Sequence, residues 1–264
     1  MISWRIPRII SALSLGLRSV EREFLGYELP PPDSELADRG WVPDPPGSWC
    51  LRCGSGRPAA SRSSRGCPEC RGRRLPFESV VRLGAYREPL DGWLLRIKRR
   101  SWHSMAERLG DRLGEQCLAV WGPSSIDGVV PVPMPPLRRL WRGIDHSAAL
   151  ASRVARAFRV PLVRLLVHGG DRTQVGRSRT ERLRRRSPFR LHPRAMSRGS
   201  DLRRIVLVDD VRSTGSTVRQ ACRLLAERFE GLEIRVAVVA IAEREIQDGA
   251  SFAGEPLDSW SMAE

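Results

Sequence analysis

The segment at residues 204–217, RIVLVDDVRSTGST, constrains the fold of this chain more than any other part of the sequence. An apolar run is followed by two adjacent carboxylates, Asp209 and Asp210, and then by a turn rich in hydroxyl side chains. The residues after the turn, 217–229, carry apolar side chains at helical spacing. This order of buried strand, acidic pair, turn and helix predicts a parallel α/β sheet.

The turn also has the chemistry of a phosphate-binding loop. A helix N-terminus offers unpaired N–H groups and a partial positive charge, and Gly215 lets the backbone approach an anion without a Cβ. Asp209 and Asp210 can accept hydrogen bonds from two neighbouring hydroxyls or hold Mg²⁺ by way of the ligand. Because a ribose phosphate offers both kinds of group, we predict Asp209 and Asp210 as the catalytic pair. The predicted ligand-binding residues of the turn are Arg212, Ser213, Thr214, Gly215, Ser216 and Thr217.

Two other interpretations of this segment are weaker. The acids could be incidental neighbours of an ordinary helix N-cap. A Walker B strand also ends in acids, but it requires a partner segment GxxxxGK[ST]. The only lysine of the chain, Lys98, lies in the sequence RIKR, so the Walker interpretation fails.

Four of the six cysteines form two closely spaced pairs. Cys50, Cys53, Cys67 and Cys70 have the spacing C-x2-C-x13-C-x2-C, which predicts a closed tetrahedral Zn²⁺ site of four thiolates. Such a site has no open position for catalysis, so we expect the zinc to stabilise a segment too small to build its own core. Contact with nucleic acid is the alternative role. Cys117 and Cys222 stand alone and are predicted to be core thiols.

Composition narrows the class of protein. A hydrophobic content of 41% in 264 residues predicts a globular chain, and no apolar run of about 18 residues predicts a membrane span. The net charge of +15 comes from 44 arginines and one lysine against 30 acids. An excess of arginine alone partly indicates compositional bias, but the charge is compatible with polyanionic partners. Arginines interrupt the apolar start of the chain and no cleavage site follows, so we expect a cytoplasmic protein.

Periodicity and composition predict the remaining elements. Apolar runs predict strands at 80–86, 126–132, 205–208 and 234–241. Helical spacing predicts helices at 1–30, 90–119, 147–158 and 217–229. Residues 30–48 are rich in proline and are predicted to be a linker or loop. Residues 171–204 carry twelve arginines and three acids, which predicts a loop with little to bury.

The segment 204–217 resembles the signature of type I phosphoribosyltransferases, in which an apolar run precedes DD, two further residues and [ST]-T-G-x-T. A four-cysteine zinc ribbon followed by such a domain is the layout of the ComF family, named for a bacterial competence protein. The resemblance runs from about residue 50 to residue 241. Further positions that resemble the family are Phe77, Tyr86, the helix end LLRIK at 94–98, VPVPM at 130–134, Arg138, Arg142, Gln174, Arg182 and Phe189.

The resemblance implies a parallel sheet with helices on both faces, preceded by a small zinc ribbon. It implies that Val132, Arg138 and Arg142 face a pyrophosphate and that the arginine-rich residues 172–186 close over the ligand. A solvated basic turn and a solvated loop are the respective alternatives. The chain departs from the family at 144–146, where Ile-Asp-His replaces the frequent Phe-Asn-Gln, and at Arg185, where asparagine is frequent. His146 is a further candidate for ligand contact.

Two functions are compatible with these features. The first is a phosphoribosyltransferase, a glycosyltransferase of nucleotide metabolism that binds phosphoribosyl pyrophosphate with Mg²⁺. The second is a non-catalytic accessory protein of DNA uptake in competence, which binds a phosphoribosyl ligand or single-stranded DNA and has a competence helicase as partner. The acidic pair favours the first function, because a binder of the phosphate backbone has no use for two carboxylates; the charge and the departure at 144–146 favour the second. The predicted domains are 1–48, a helix and linker; 49–76, the zinc ribbon; 77–245, the phosphoribosyltransferase-like domain; and 246–264, a tail.

Overall fold

The computed structural model describes residues 30–56, 66–98, 102–135, 145–169, 188–212 and 215–242. Its helices are α1 (Pro32–Asp38), α2 (Leu90–Ile97), α3 (His103–Trp121), α4 (His146–Phe158), α5 (Ala195–Gly199) and α6 (Ser216–Arg228). Its strands are β1 (Val80–Ala85), β2 (Gly128–Pro131), β3 (Leu166–His168), β4 (Phe189–Leu191), β5 (Arg204–Arg212) and β6 (Glu233–Ile241).

Four parallel strands form the central sheet in the order β1-β6-β5-β2. The two middle strands have neighbours on both sides, and their apolar runs are buried on both faces, as a parallel sheet requires. Since all four strands run the same way, their carboxyl ends meet at one edge of the sheet. The predicted strands at 80–86, 126–132 and 234–241 are confirmed within a residue or two at each end.

Successive side chains of each strand pack into two different cores, because the side-chain period of a strand is two residues. Val206 and Val208 lie in a core with α2, α3 and α4, whereas Ile205 and Leu207 lie in a core with α6 and the small antiparallel sheet of β3 and β4. The expected α/β architecture with helices on both faces is therefore confirmed.

Helices α3 and α4 pack closely on the first face. A Cβ on Gly114 would lie 2.7 Å from Ala157 Cβ, and one on Gly110 would lie 3.2 Å from Leu150 Cα. Glycine at these two positions allows the helices to approach. This contact fixes α4, whose first turn reaches the carboxyl edge of β5.

Residues 30–48 differ from the expected loop, because they contain α1 and are tied to the domain by buried polar contacts. Trp93 Nε1 donates to Glu35 Oε1 at 2.9 Å, and Arg82 in β1 pairs with Asp44 at 2.7 Å. Glu35 and Arg82 are both buried. A buried charge is costly unless it has a partner, so these contacts hold the segment on the sheet.

Two other expectations need correction. The helix predicted at 90–119 is divided into α2 and α3, and the loop predicted at 171–204 contains β4 and α5. Phe189 and Leu202 in this segment are buried, although its many arginines predicted that it had little to bury. Residues 1–29 of the helix predicted at 1–30, the tail at 246–264 and the whole predicted lid at 172–186 lie outside the described residues. Among the described residues, every helix is too short or too polar to span a bilayer.

Candidate functional site

The acidic pair lies near the carboxyl end of β5, and its two side chains have different surroundings. The strand continues through both acids to Arg212, beyond the end expected at residue 208, because β6 pairs with it as far as Ile241. Asp209 is buried, with 8% of its surface exposed, while Asp210 is only partly buried. The pair therefore offers one enclosed carboxylate and one that solvent or a ligand can reach.

Asp209 is oriented by two hydrogen bonds to the same oxygen. The hydroxyl of Ser147 donates to Oδ1 at 3.2 Å, and the backbone N–H of Asp210 donates at 3.0 Å. Ser147 lies in the first turn of α4, which Asp145 caps by accepting the Ala148 N–H at 3.1 Å. The N-terminus of α4 thus positions the buried carboxylate.

Burial raises the pKa of Asp209 well above its usual value, and the charge of Asp210 raises it further. The hydrogen bonds from the Asp210 N–H and from Ser147 act in the opposite direction without cancelling the effect. A carboxyl with a raised pKa, held beside a second carboxylate, is typical of functional sites.

Lys98 is a member of this site that reasoning from the motifs missed. It follows α2, and its Nζ lies 3.1 Å from Asp210 Oδ2. Lys98 ends the segment LLRIK that resembles the ComF family, but that resemblance predicts no role for it. The one indication in the sequence was its composition, because Lys98 is a single lysine in a chain with 44 arginines.

The predicted phosphate loop leads from β5 into α6. Gly215 has φ of 69°, a left-handed conformation that favours glycine, and it is the N-cap of α6. Ser216 and Thr217 are exposed in the first turn of that helix. The N-terminus of a helix of thirteen residues therefore follows the acidic pair along the chain, shortly after the end of β5.

The second predicted segment of the site is only partly described. Val132 is buried, and its N–H donates to Val208 O at 2.9 Å, so the chain after β2 lies directly beside the start of the acidic pair. Four predicted residues lie outside the described part of the chain: Arg138, Arg142, Ser213 and Thr214. His146 is buried at the start of α4, next to Ser147.

The four predicted cysteines lie together, with all sulfur atoms within 4.8 Å of one another. The sulfur–sulfur separations are 3.8 Å for Cys50–Cys70, 3.4 Å for Cys53–Cys67 and 3.8 Å for Cys67–Cys70. A tetrahedron with Zn–S bonds of about 2.3 Å has sulfur atoms about 3.8 Å apart. The cluster therefore fits a metal such as zinc.

This cluster packs directly on the sheet. The indole of Trp49 is buried and donates to Val80 O at 3.0 Å, and Val80 N donates to Leu51 O at 2.6 Å. Gly54, with φ of 81°, lies so close to Ile241 and Val80 that a Cβ there would clash. The first cysteine pair is thus in contact with β1 and β6.

Cys117 and Cys222 are buried in the two cores, away from the cluster. Burial raises the pKa of the Cys222 thiol to about 12. Both groups are therefore neutral, unreactive thiols at physiological pH.

Comparison with known proteins agrees with this geometry. Residues 145–251 match the phosphoribosyl transferase domain family, so the chain carries a domain of that class. The matched stretch contains β5, the acidic pair and α6, and it begins at the residue that caps α4.

The chain is also similar to Competence protein F of Haemophilus influenzae. The identity is 26% over 184 residues, which cover 67% of this chain and 78% of that protein. Together with the domain match and the cysteine cluster, this similarity confirms the resemblance to the ComF family.

Proposed function

We propose that the chain is a ComF-like phosphoribosyltransferase that binds phosphoribosyl pyrophosphate and transfers its ribose 5-phosphate to a nitrogen acceptor. One observation carries the proposal: Asp209 and Asp210 lie at the carboxyl end of a buried parallel strand that leads into the glycine-capped α6. Ligands of open α/β sheets bind at this edge. A ribose phosphate matches the two halves of the site, since its hydroxyls suit the carboxylates and its 5′-phosphate suits the helix N-terminus.

In the proposed reaction, the bond between C1 of the ribose and the pyrophosphate oxygen breaks, and the electron pair leaves with pyrophosphate. The acceptor nitrogen forms the new bond to C1 and gives up its proton to solvent or to the departing pyrophosphate. Positive charge develops on the sugar ring, and the carboxylates of Asp209 and Asp210 hold the ring while this occurs. The chemistry needs positioned charges more than a covalent nucleophile, so the site requires no Ser/His/Asp triad.

We propose that Mg²⁺ enters the site as an ion carried by the ligand. Asp210 offers a carboxylate with 18% of its side chain exposed, and Mg²⁺ prefers oxygen ligands, with few of them from protein. When bound, the ion supplies positive charge to the leaving pyrophosphate. Lys98, in contact with Asp210, supplies a positive charge of the chain itself beside the acidic pair.

The cysteine cluster belongs to the proposal as a structural Zn²⁺ site. Its four thiolates leave no position for substrate, and the segments that carry it are short. We propose that this site forms a unit of its own at residues 49–76, before the phosphoribosyltransferase-like domain at 77–245.

A second candidate is a non-catalytic accessory protein of DNA uptake that binds a phosphoribosyl ligand or single-stranded DNA and works with a helicase. The net charge of +15 favours this candidate, as does the name of the Haemophilus relative. A cytoplasmic location is proposed for both candidates.

Calorimetry with phosphoribosyl pyrophosphate and Mg²⁺ separates the candidates, with the Asp209→Asn variant as control. We expect the parent chain to bind this ligand and the variant not to bind it. We also expect the parent chain to release pyrophosphate only when a nucleobase or amine is added. Binding of phosphoribosyl pyrophosphate without release of pyrophosphate, whichever acceptor is added, favours the accessory protein. Binding of single-stranded DNA without binding of phosphoribosyl pyrophosphate contradicts the phosphoribosyltransferase proposal.

A further inference from the structure

Arg212 lies at the junction between the cysteine cluster and the phosphate loop. It is the last residue of β5. Its Nη1 is 3.5 Å from the position that a Cβ would take on Gly54, and its Nε is 2.8 Å from the corresponding position on Gly215. Gly54 directly follows Cys53, and Gly215 caps α6. One guanidinium therefore fills the space between the two sites.

The surroundings of this guanidinium are charged on both sides. Burial lowers the pKa of the Arg212 guanidinium, and the like charge of Arg219 lowers it further, while Cys53, Glu69 and Cys70 act in the opposite direction. Arg219 Nη1 lies 3.1 Å from the Cβ position of Gly215, so two guanidinium groups converge on the N-terminus of α6. An anion at that N-terminus would lie between two cations that otherwise repel each other.

The hydrogen bonding of Arg212 is incomplete. Among the described residues, its Nε and Nη1 are buried without a hydrogen-bond partner. Buried N–H donors of a charged group are costly when they have no acceptor. A negative centre on one side and a phosphate on the other would offset this cost.

We infer that Arg212 couples the two sites, so that a metal in the cysteine cluster and a phosphate at α6 stabilise each other's binding. Four thiolates around a divalent metal carry a net charge of −2, which attracts the guanidinium toward Gly54 and keeps it beside Gly215. A phosphate at the helix N-terminus relieves the repulsion from Arg219 and holds Arg212 in the same place. The cysteine cluster then contributes to ligand affinity as well as to folding, and Arg212 is a positioning residue. This inference rests on the proposed function.

The coupling is reciprocal, so it can be measured as the retention of zinc. The experiment follows zinc release from the full chain to a chromogenic chelator, with and without saturating phosphoribosyl pyrophosphate and Mg²⁺. Ligand should slow the release on the order of 5-fold or more in the parent chain. In Arg212→Met, the ligand should change the release rate little. The matched control is Arg223→Met, which removes an exposed arginine from α6 and should keep the full effect of the ligand.

Calorimetry on the same samples separates the possible failures. Ligand that binds the parent chain without slowing zinc release overturns the coupling alone, as does equal slowing in Arg212→Met. Absence of ligand binding to the zinc-loaded parent chain overturns the proposed function and the coupling with it. Arg212→Lys supplies a second variant that keeps the charge but loses the planar fork, and it should show an intermediate effect.

Discussion

Lys98, the only lysine of the chain, places its Nζ 3.1 Å from Oδ2 of Asp210. The contact joins the end of α2 to the second carboxylate of the acidic pair. It also makes the two acids unequal: Asp210 has a cationic partner, while Asp209 has burial and hydrogen bonds. The two carboxylates should therefore respond differently to substitution.

Lys98→Met should weaken the binding of phosphoribosyl pyrophosphate with only a small effect on stability. The ion pair is partly exposed, so its loss should change the free energy of unfolding by less than about 1 kcal/mol. Without Lys98, the charge of Asp210 would have no cationic partner at this contact and would repel a pyrophosphate. Calorimetry measures the affinity and thermal melts measure the stability. The control is Arg87→Met, which removes one positive charge at an exposed position. Unchanged affinity in Lys98→Met would show that the lysine has only a structural role.

Ser147→Ala should move the pH dependence of ligand binding upward. The Ser147 hydroxyl lowers the pKa of Asp209, so its removal should raise that pKa further. If the ribose hydroxyls donate to the ionised carboxylate, binding in the variant will require a higher pH than in the parent chain. Calorimetry across pH 5–9 reports the shift. A profile identical to that of the parent chain would contradict a role for Asp209 in holding the ligand.

Cys67→Ser should lose both the metal and much of the stability of the chain. The other three thiolates cannot complete a tetrahedral shell, and the short segments that carry them have little apolar core. Elemental analysis should give about one zinc per parent chain and a marked loss in the variant, with a lower melting temperature. Cys222→Ser is the control, because that thiol lies in a core and should leave zinc content unchanged. Zinc-free protein with the melting temperature of the parent would contradict the structural role.

Local patterns were sufficient to predict the buried strands and the four-cysteine cluster. The apolar runs at 126–132 and 234–241 are buried strands, and the four cysteines meet as their spacing predicts. Burial of both faces of a parallel strand leaves a continuous apolar run in the sequence, and metal ligands leave fixed spacings. These signals require no knowledge of distant partners.

Contacts between distant residues could not be predicted in this way. The apolar neighbours of Arg82 predict that it lies in a strand, but nothing near it in the sequence indicates that Asp44 neutralises its charge. The same holds for Ser147 and Asp209, and for the approach of Arg212 to Gly54. The contact in each pair depends on how the helices and the cysteine cluster pack on the sheet, which is a property of the whole fold.

The melting temperature of Asp209→Asn, measured against pH with and without ligand, tests the central claim most directly. Because the folded-state pKa of Asp209 is raised, the folded chain holds its proton more tightly than the unfolded chain, so stability falls as pH rises above the unfolded value of about 3.8. Without ligand, Asp209→Asn should melt higher than the parent at pH 7, by about 2–4 °C for each kcal/mol relieved. The difference should disappear as the pH falls toward about 4. Phosphoribosyl pyrophosphate with Mg²⁺ should raise the melting temperature of the parent and not that of the variant. A variant that melts well below the parent at pH 7 and still responds to ligand would show that Asp209 is part of the scaffold and would contradict the account.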